Sequence, residues 1–312
     1  MSETVAHYLG DIRAFLDDKK LIELKANGPG VIALQNVKGE WRNQKIPSLT
    51  VDWWRQLARA VAISTGQTFD DRRPQLQAKL PGNHRMMLLL GANVIDPVTS
   101  GPGVAATIRL FRRGNFKLKD FGLPNDVAAT IVTAVQKREN ILVSGSTNAG
   151  KTSLTDLLCE AMTDSAPIYV EDTQELVPEQ RLRFHLRMNP SSSDTDYSYK
   201  DLMSFLQMSS PDRIVLGELN VQNVTLTLRL FTMGQDGIIT TLHANSARDT
   251  IASLAELLAL NGFDRAYTES FFRGRIDMVI HCARLKDRRV VTEVVRPHRD
   301  SFETVWRNPD VD

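Results

Sequence analysis

The sequence predicts an α/β protein, with a mainly parallel sheet in its C-terminal part and a smaller α+β domain before it. Two observations lead to this prediction. After residue 125, short apolar segments alternate with segments of helical periodicity, which is typical of βαβ units with right-handed crossovers. Before residue 112, strand-like segments are separated by glycine- and proline-containing turns, which indicates hairpins.

The composition excludes several classes of protein. The chain of 312 residues is long enough for two domains, and its 38 Lys and Arg residues nearly balance 37 Asp and Glu residues, so no bulk charge demands a nucleic acid or an anionic membrane. Its longest purely apolar run, 86–90, is far shorter than the roughly 20 residues of a membrane span. Cys159 and Cys282 lie in apolar segments and are expected to be buried thiols. We therefore expect a soluble, cytoplasmic protein.

The first domain is predicted to span residues 1–112. Apolar residues at helical spacing predict a helix over 5–16, and a second helix around 54–62 ends near Gly66. Strand-like runs are expected to form its sheet at 21–24, 31–34, 86–90 and 104–111, with a further run just before the turn at 80–83. A basic, glycine-containing segment that breaks the periodicity then predicts a linker over 113–125. We interpret this linker as a solvated connector, with a phosphate or lipid contact as the alternative.

The second domain is predicted over 126–312. Its expected strands are 141–144, 167–171, 213–217 and 237–242, followed by a hairpin made of 278–281 and 290–295. Its expected helices are 127–137, 152–163, 200–208, 221–233 and 248–261. The strands and helices alternate strictly up to the hairpin, so the sheet should be mainly parallel.

A glycine-rich loop carries the most specific chemical signal. The segment from Gly145 to Thr152 matches G-x-x-x-x-G-K-T, follows an apolar strand and precedes an amphipathic run. In such a loop the glycines let successive backbone N–H groups surround an anion at a helix N-terminus. We expect Lys151 to reach the β- and γ-phosphates and Thr152 to ligate Mg²⁺. The predicted nucleotide-binding residues are Gly145, Ser146, Thr147, Asn148, Ala149, Gly150, Lys151, Thr152 and Ser153.

Three other apolar strands end in polar side chains, and parallel sheets bind ligands at that edge. Glu171, in Glu171-Asp172, is a candidate to hold Mg²⁺ through water or to position the attacking water, with a solvated surface as the equal alternative. Glu218 follows a strand that resembles a Walker B strand and is the candidate to orient or deprotonate water, with helix capping as the alternative. His243 ends a third strand and is expected to lie near Glu218.

In order and spacing, these four segments resemble the secretion ATPases of type II and type IV secretion, pilus and conjugation systems. The type IV secretion and conjugal-transfer branch is the most similar. The resemblance implies a P-loop (RecA-like) C-terminal domain and a homohexameric, Mg²⁺-dependent ATPase at the cytoplasmic face of the inner membrane. Its expected partners are inner-membrane secretion-system components, with peripheral membrane contact, and its cofactors are ATP and Mg²⁺. Glu171 or Glu218 would meet the metal through water, and His243 would sense the γ-phosphate.

The resemblance also assigns two arginines of the first domain. Arg85 and Arg109 occupy the places of family arginines that approach the phosphates, whereas a strand-surface role is the alternative for both. Asn220 and Gln235 depart from the family, which has an arginine and a histidine there, and this departure puts coupling between subunits in doubt.

Three other functions remain open. A nucleic-acid motor is disfavoured because the charge is balanced and aromatic residues are few, so no sequence-specific nucleic-acid binding is expected. A nucleotide-gated scaffold without hydrolysis is the second alternative. A pilus retraction or type II secretion motor is the third, although the four-cysteine zinc module frequent in type II assembly motors cannot form from two cysteines.

Overall fold

A computed structural model of the chain describes residues 3–96, 99–112, 116–163, 165–172, 175–177, 183–187, 199–285 and 288–311. The chain divides into two compact units, one within Met1–Arg113 and one made of the described residues from 116 onward. The α/β fold class predicted from the sequence is confirmed, with two separate sheets. Within the described residues, no helix has the length and apolar character that crossing a membrane requires.

The first unit is a six-stranded antiparallel sheet with helices packed on one face. Its strands are β1 (Leu21–Ala26), β2 (Val31–Asn36), β3 (Trp41–Lys45), β4 (Gln75–Lys79), β5 (Arg85–Ile95) and β6 (Pro102–Arg109), in the order β3-β2-β1-β6-β5-β4. Its helices are α1 (Glu3–Leu9), α2 (Arg13–Asp17) and α3 (Val51–Ser64). The predicted opening helix is therefore two helices, separated by a 3-10 turn at Gly10–Ile12.

The second unit is an eight-stranded sheet whose central part is parallel. Its strands are β7 (Ile141–Gly145), β8 (Pro167–Glu171), β9 (Phe184–Arg187), β10 (Arg213–Leu216), β11 (Ile239–Leu242), β12 (Met278–Leu285), β13 (Arg288–Pro297) and β14 (Phe302–Arg307), in the order β14-β13-β12-β7-β11-β10-β8-β9. β12 to β14 form an antiparallel meander, and β12 joins β7 in parallel. The predicted hairpin is thus part of the main sheet.

Helices cover both faces of this sheet, and two apolar clusters hold the layers together. The helices are α4 (Asn125–Gln136), α5 (Lys151–Glu160), α6 (Tyr199–Ser209), α7 (Val224–Thr232), α8 (Thr250–Ala259) and α9 (Arg265–Arg273). Phe121 and Leu123 are buried in the second cluster, so residues 116–124 of the predicted linker pack on the second unit. Cys159 and Cys282 are buried free thiols, as expected, and burial raises the pKa of Cys282 to about 12.

The strand register sets the position of the site. β7 pairs in parallel with β11, so Ser144 lies beside Leu242, and β11 pairs with β10, so Thr240 lies beside Leu216. β8 follows on the other side of β10. Because these four strands run in the same direction, the segments that follow them emerge at one edge of the sheet.

His84 is a buried titratable group of the first unit. Its Nδ1 accepts a hydrogen bond from the backbone N–H of Phe111 at 3.0 Å, and the residue is 5% exposed. Burial disfavours the charged ring, and the nearby Arg112 guanidinium adds to this effect, so the pKa of His84 is lowered to about 4. The folded unit therefore holds this imidazole in its neutral form.

This lowered pKa predicts a pH dependence of stability. Because the folded pKa of about 4 lies below the ordinary 6.5, stability from neutral His84 is fully present above pH 6.5 and is lost as the pH falls towards 4. We expect the His84 ring signal to titrate near pH 4 by NMR, and a midpoint near 6.5 would contradict the assignment. His84→Gln, which keeps an acceptor for Phe111, should flatten the loss of amide protection in β5 and β6 between these pH values.

Candidate nucleotide-binding site

The loop between β7 and α5 has a shape that specific residues dictate. Gly145 has φ of 147°, and a Cβ built there would lie 2.2 Å from the Cys282 carbonyl oxygen on β12. Gly150 has φ of 99°, and its Cβ would lie 2.7 Å from Cδ of Arg289. Asn148 between them also adopts positive φ, at 64°. Side chains at the two glycines would therefore force the loop apart from β12 and β13.

The loop ends where α5 begins, so it leads into a group of backbone donors. The N–H groups of the first helical turn, from Lys151 to Ser153, have no acceptor within the helix. Together with the positive end of the helix dipole, they favour an anion in the concavity of the loop. The glycine conformations and this helix start are the features that a bound phosphate requires, so the residues present fit a nucleoside triphosphate.

The Lys151 ammonium lies at the mouth of the loop. Its Nζ donates to the carbonyl oxygens of Gly145 and Ser146, each at 3.1 Å, and lies 3.1 Å from Nδ1 of His243. The side chain is only 7% exposed. Nδ1 of His243 also lies 3.2 Å from the carbonyl oxygen of Gly145. We assign Nδ1 as the acceptor from Lys151, because an ammonium can only donate, and this assignment places the ring proton on Nε2.

Glu218 completes this cluster. Its Oε1 lies 2.8 Å from Nε2 of His243 and 4.0 Å from Nζ of Lys151. The imidazole therefore donates to the carboxylate on one side and accepts from the ammonium on the other. Both Glu218 and His243 remain about half exposed, so water reaches this carboxylate. The structure thus brings three of the residues predicted from sequence into direct contact.

Hydrogen bonds between the ends of β10 and β11 fix the position of Glu218. Thr241 Oγ1 donates to the carbonyl of Gly217 at 2.8 Å, and the N–H of Leu219 donates to the carbonyl of Thr241 at 2.8 Å. On the other side, Asn223 Nδ2 donates to the carbonyl of Glu218 itself, also at 2.8 Å. The backbone on both sides of the carboxylate is therefore held.

A series of hydrogen-bonded, buried polar side chains lies next to the start of the loop. Thr250 Oγ1 on α8 donates to Ser144 Oγ at 2.8 Å, and Ser144 Oγ lies 2.9 Å from Nδ1 of His281 on β12. Burial lowers the pKa of His281 to about 4, with the Lys151 charge acting in the same direction and Asp249 opposing it. This series joins β7, α8 and β12 through neutral side chains immediately before the loop.

Glu175, which the sequence interpretation did not select, lies beside the first turn of α5. Its Oε2 accepts a hydrogen bond from the Thr152 hydroxyl at 3.0 Å. Glu171, selected instead, is nearly buried and lies deeper, with its Oε1 accepting the backbone N–H groups of Glu175 and Leu176 at 2.9 and 3.1 Å. Its other oxygen lies 2.5 Å from Nε2 of His185. The sequence carried no signal that separates Glu175 from Glu171, because both carboxylates follow the same apolar strand.

Arg85 and Arg109 lie in the first unit, where they are directly opposite each other on β5 and β6. The strand register also places Glu23 on β1 opposite Arg109 and Lys79 on β4 opposite Arg85, so these four residues form one row across the sheet. These four residues alternate with buried neighbours such as Ile108 and Met86, so they lie on the sheet face opposite the helices. The two arginines are thus adjacent within one mainly basic row.

The sheet and the loop define a RecA-like P-loop protein. Residues 50–270 match the family described as Type II/IV secretion system protein, and the chain belongs to this family, which confirms the resemblance found in the sequence. The chain is 27% identical over 339 residues to the Type IV secretion system protein VirB11 of Bartonella quintana (strain Toulouse), covering 94% of each chain.

Solved structures share the fold. The Legionella pneumophila ATPase DotB has a TM-score of 0.62 at 15% identity, with 94% of this chain and 82% of that chain covered. The pilus retraction motor PilT with bound ADP has a TM-score of 0.62 at 18% identity, with 92% and 82% covered. The α/β fold of this chain is therefore shared with these two structures.

The tight approach at Gly145 gives a stability prediction. A methyl group at this position would lie 2.2 Å from a backbone oxygen, so Gly145→Ala should destabilise the second unit by about 2 kcal/mol or more. Chemical unfolding followed by fluorescence measures the change. Gly274→Ala is the control, since its Cβ would lie 3.6 Å from the nearest atom, and it should change stability by less than about 1 kcal/mol. Equal stabilities of the two variants would contradict the interpretation that only glycine fits at position 145.

Proposed function

We propose that this protein is an Mg²⁺-dependent ATPase that powers assembly of, or transport by, a type IV secretion or conjugation system. The observation that supports this proposal most is the contact of Lys151, His243 and Glu218 at the mouth of the phosphate loop. Family membership supports the same conclusion, because the Bartonella quintana relative is named a Type IV secretion system protein.

In the proposed reaction the loop residues from Gly145 to Ser153 bind the phosphates. The glycine conformations and the start of α5 already give the loop the shape that phosphate binding requires, so we expect little reorganisation on binding. Lys151, which the Gly145 and Ser146 carbonyls hold at the loop, donates to phosphate oxygens. Because its ammonium is largely shielded from water, its attraction to a triphosphate is weakly screened.

Thr152 and Glu175 are the residues that we assign to Mg²⁺. A hydroxyl and a carboxylate within hydrogen-bonding distance are oxygen donors of the kind that this ion prefers. When bound, the ion would neutralise charge on the transferring phosphate. In this assignment Glu175 takes the place that the sequence hypothesis gave to Glu171, because both oxygens of Glu171 already have protein partners.

Glu218 is the group that we assign to orienting and deprotonating the attacking water. It is half exposed and lies 4.0 Å from the Lys151 ammonium, so it borders the place where phosphates would bind. The Nε2–H group of His243 donates to this carboxylate and fixes its orientation. His243 contacts both Lys151 and Glu218. A shift of the ammonium towards a γ-phosphate would therefore change the contact between this ring and Glu218. This is the proposed sensing role of His243.

The remaining parts of the proposal extend beyond this site. Arg85 and Arg109 are proposed to approach the phosphates in the working enzyme, where an arginine that neutralises transition-state charge accelerates hydrolysis by about 10³ to 10⁵. We further propose a homohexamer, peripheral at the cytoplasmic face of the inner membrane and in contact with inner-membrane secretion components. The likeness to PilT keeps a retraction motor as the second candidate function.

The assignment of Glu218 predicts a separation of binding from turnover. Glu218→Gln keeps the size of the side chain but cannot accept a proton from water, so ATP binding should remain while turnover falls by about 100-fold or more. Fluorescent ATP-analogue binding and steady-state phosphate release measure the two effects. Glu256→Gln is the control, because Glu256 pairs with Arg265 in an exposed position on α8, and it should hydrolyse ATP at the wild-type rate.

Two results would contradict this assignment. Hydrolysis by Glu218→Gln at the wild-type rate would remove Glu218 from the reaction. Nucleotide binding by the wild-type protein without any phosphate release would favour the nucleotide-gated scaffold. Asn220→Arg would then be the first variant to assay. Asn220 donates to Asp172 at 3.1 Å, between the ends of β10 and β8.

A further inference from the structure

Glu171 lies at the centre of a buried network beside the site. Its side chain is only 4% exposed, and its Oε1 accepts two backbone N–H groups from the segment that follows β8, those of Glu175 and Leu176. A carboxylate that accepts two backbone N–H groups of one segment fixes the path of that segment. The Glu175 backbone is therefore held by Glu171, while the Glu175 side chain reaches Thr152.

His185 holds the second oxygen of Glu171. Its Nε2 lies 2.5 Å from Oε2, and its ring lies over Tyr169 with the centroids 5.5 Å apart. Tyr169 and His185 are paired neighbours on β8 and β9, so the position of the imidazole is set by the sheet itself. Glu171 is thus held by β9 on one side and holds the segment after β8 on the other.

One further hydrogen bond and one buried side chain hold residues 175–177 in place. The N–H of Val177 donates to Asp156 on α5 at 2.9 Å, and Leu176 is fully buried. Gly217 provides the space for Glu171, since a Cβ there would lie 2.7 Å from Cγ of Glu171. A larger residue immediately before Glu218 would therefore displace the buried carboxylate.

From these contacts we propose that Glu171 and His185 are positioning residues that hold Glu175 against Thr152 and so set the affinity for Mg²⁺. This rests on the proposed function, because it concerns the Mg²⁺ assigned to Thr152 and Glu175. In this role Glu171 neither contacts the reacting atoms nor activates water. Its contribution is transmitted through the backbone N–H groups of Glu175 and Leu176.

The test measures Mg²⁺ dependence without relying on hydrolysis. The full-length protein is titrated with Mg²⁺ in the presence of a fluorescent ADP analogue, and the half-saturating Mg²⁺ concentration is compared among variants. Outer-shell partners of metal ligands typically change metal affinity by 10- to 100-fold, so Glu171→Ala should raise this concentration on the order of tenfold. Glu175→Ala should raise it at least as much, and the double variant should match Glu175→Ala alone, because both residues act through one carboxylate.

His185→Phe keeps a ring against Tyr169 but removes the nitrogen that contacts Glu171, so it should shift the Mg²⁺ requirement in the same direction by a smaller factor. His298→Phe is the matched control. His298 also pairs with a glutamate, Glu303 at 3.5 Å, but this pair is exposed on the β13–β14 hairpin, so no shift is expected. His185→Phe also carries the test if Glu171→Ala does not fold.

Distinct results would overturn this proposal. An unchanged Mg²⁺ requirement in both Glu171→Ala and His185→Phe would contradict it, as would an effect of Glu171→Ala that is equally large with and without Glu175. A wild-type protein that fails to bind the ADP analogue at any Mg²⁺ concentration would instead contradict the proposed function itself.

Discussion

The contact between the Lys151 ammonium and the two carbonyl oxygens at the start of its own loop is the interaction on which the site depends. A largely buried positive charge is stable only when its donors have acceptors, and here two carbonyls and the His243 ring provide them. The loop is also held close to β12 and β13, since a Cβ on Gly145 would lie 2.2 Å from the Cys282 carbonyl oxygen and Nε of Arg289 donates to the carbonyl of Asn148 at 3.3 Å. The conformation of the loop therefore depends on these two strands as well as on Lys151.

Parallel strand order then gathers the other groups. Because β7, β11, β10 and β8 are neighbours that run the same way, His243, Glu218 and the segment with Glu175 all emerge at the edge where the loop lies. The backbone bonds that join the ends of β10 and β11 keep Glu218 beside His243. These hydrogen bonds hold the backbone around Glu218, while its half-exposed carboxylate remains accessible to water.

Much of this arrangement could be predicted from sequence, because the central strands are apolar runs between strong turn signals and the loop has a fixed pattern. The edge strands β3, β9 and β14 could not, because none of them contains more than two consecutive apolar residues and so they lack the apolar run used to find strands. The choice between Glu171 and Glu175 was also beyond the sequence. It depends on where residues 175–177 lie, and the hydrogen bonds from the N–H groups of Glu175 and Leu176 to Glu171 determine this position. The adjacency of Arg85 and Arg109 likewise follows from a register set by the hairpins.

The most direct test of this account is the rate of phosphate release from ATP by the wild-type protein, Lys151→Ala and Lys137→Ala, each with and without Mg²⁺. Lys137, an exposed residue at the end of α4, controls for the loss of a lysine charge elsewhere in the same unit. We predict Mg²⁺-dependent release by the wild type and by Lys137→Ala, and none above background by Lys151→Ala. Release by Lys151→Ala at the wild-type rate would contradict the claim that this ammonium organises the site.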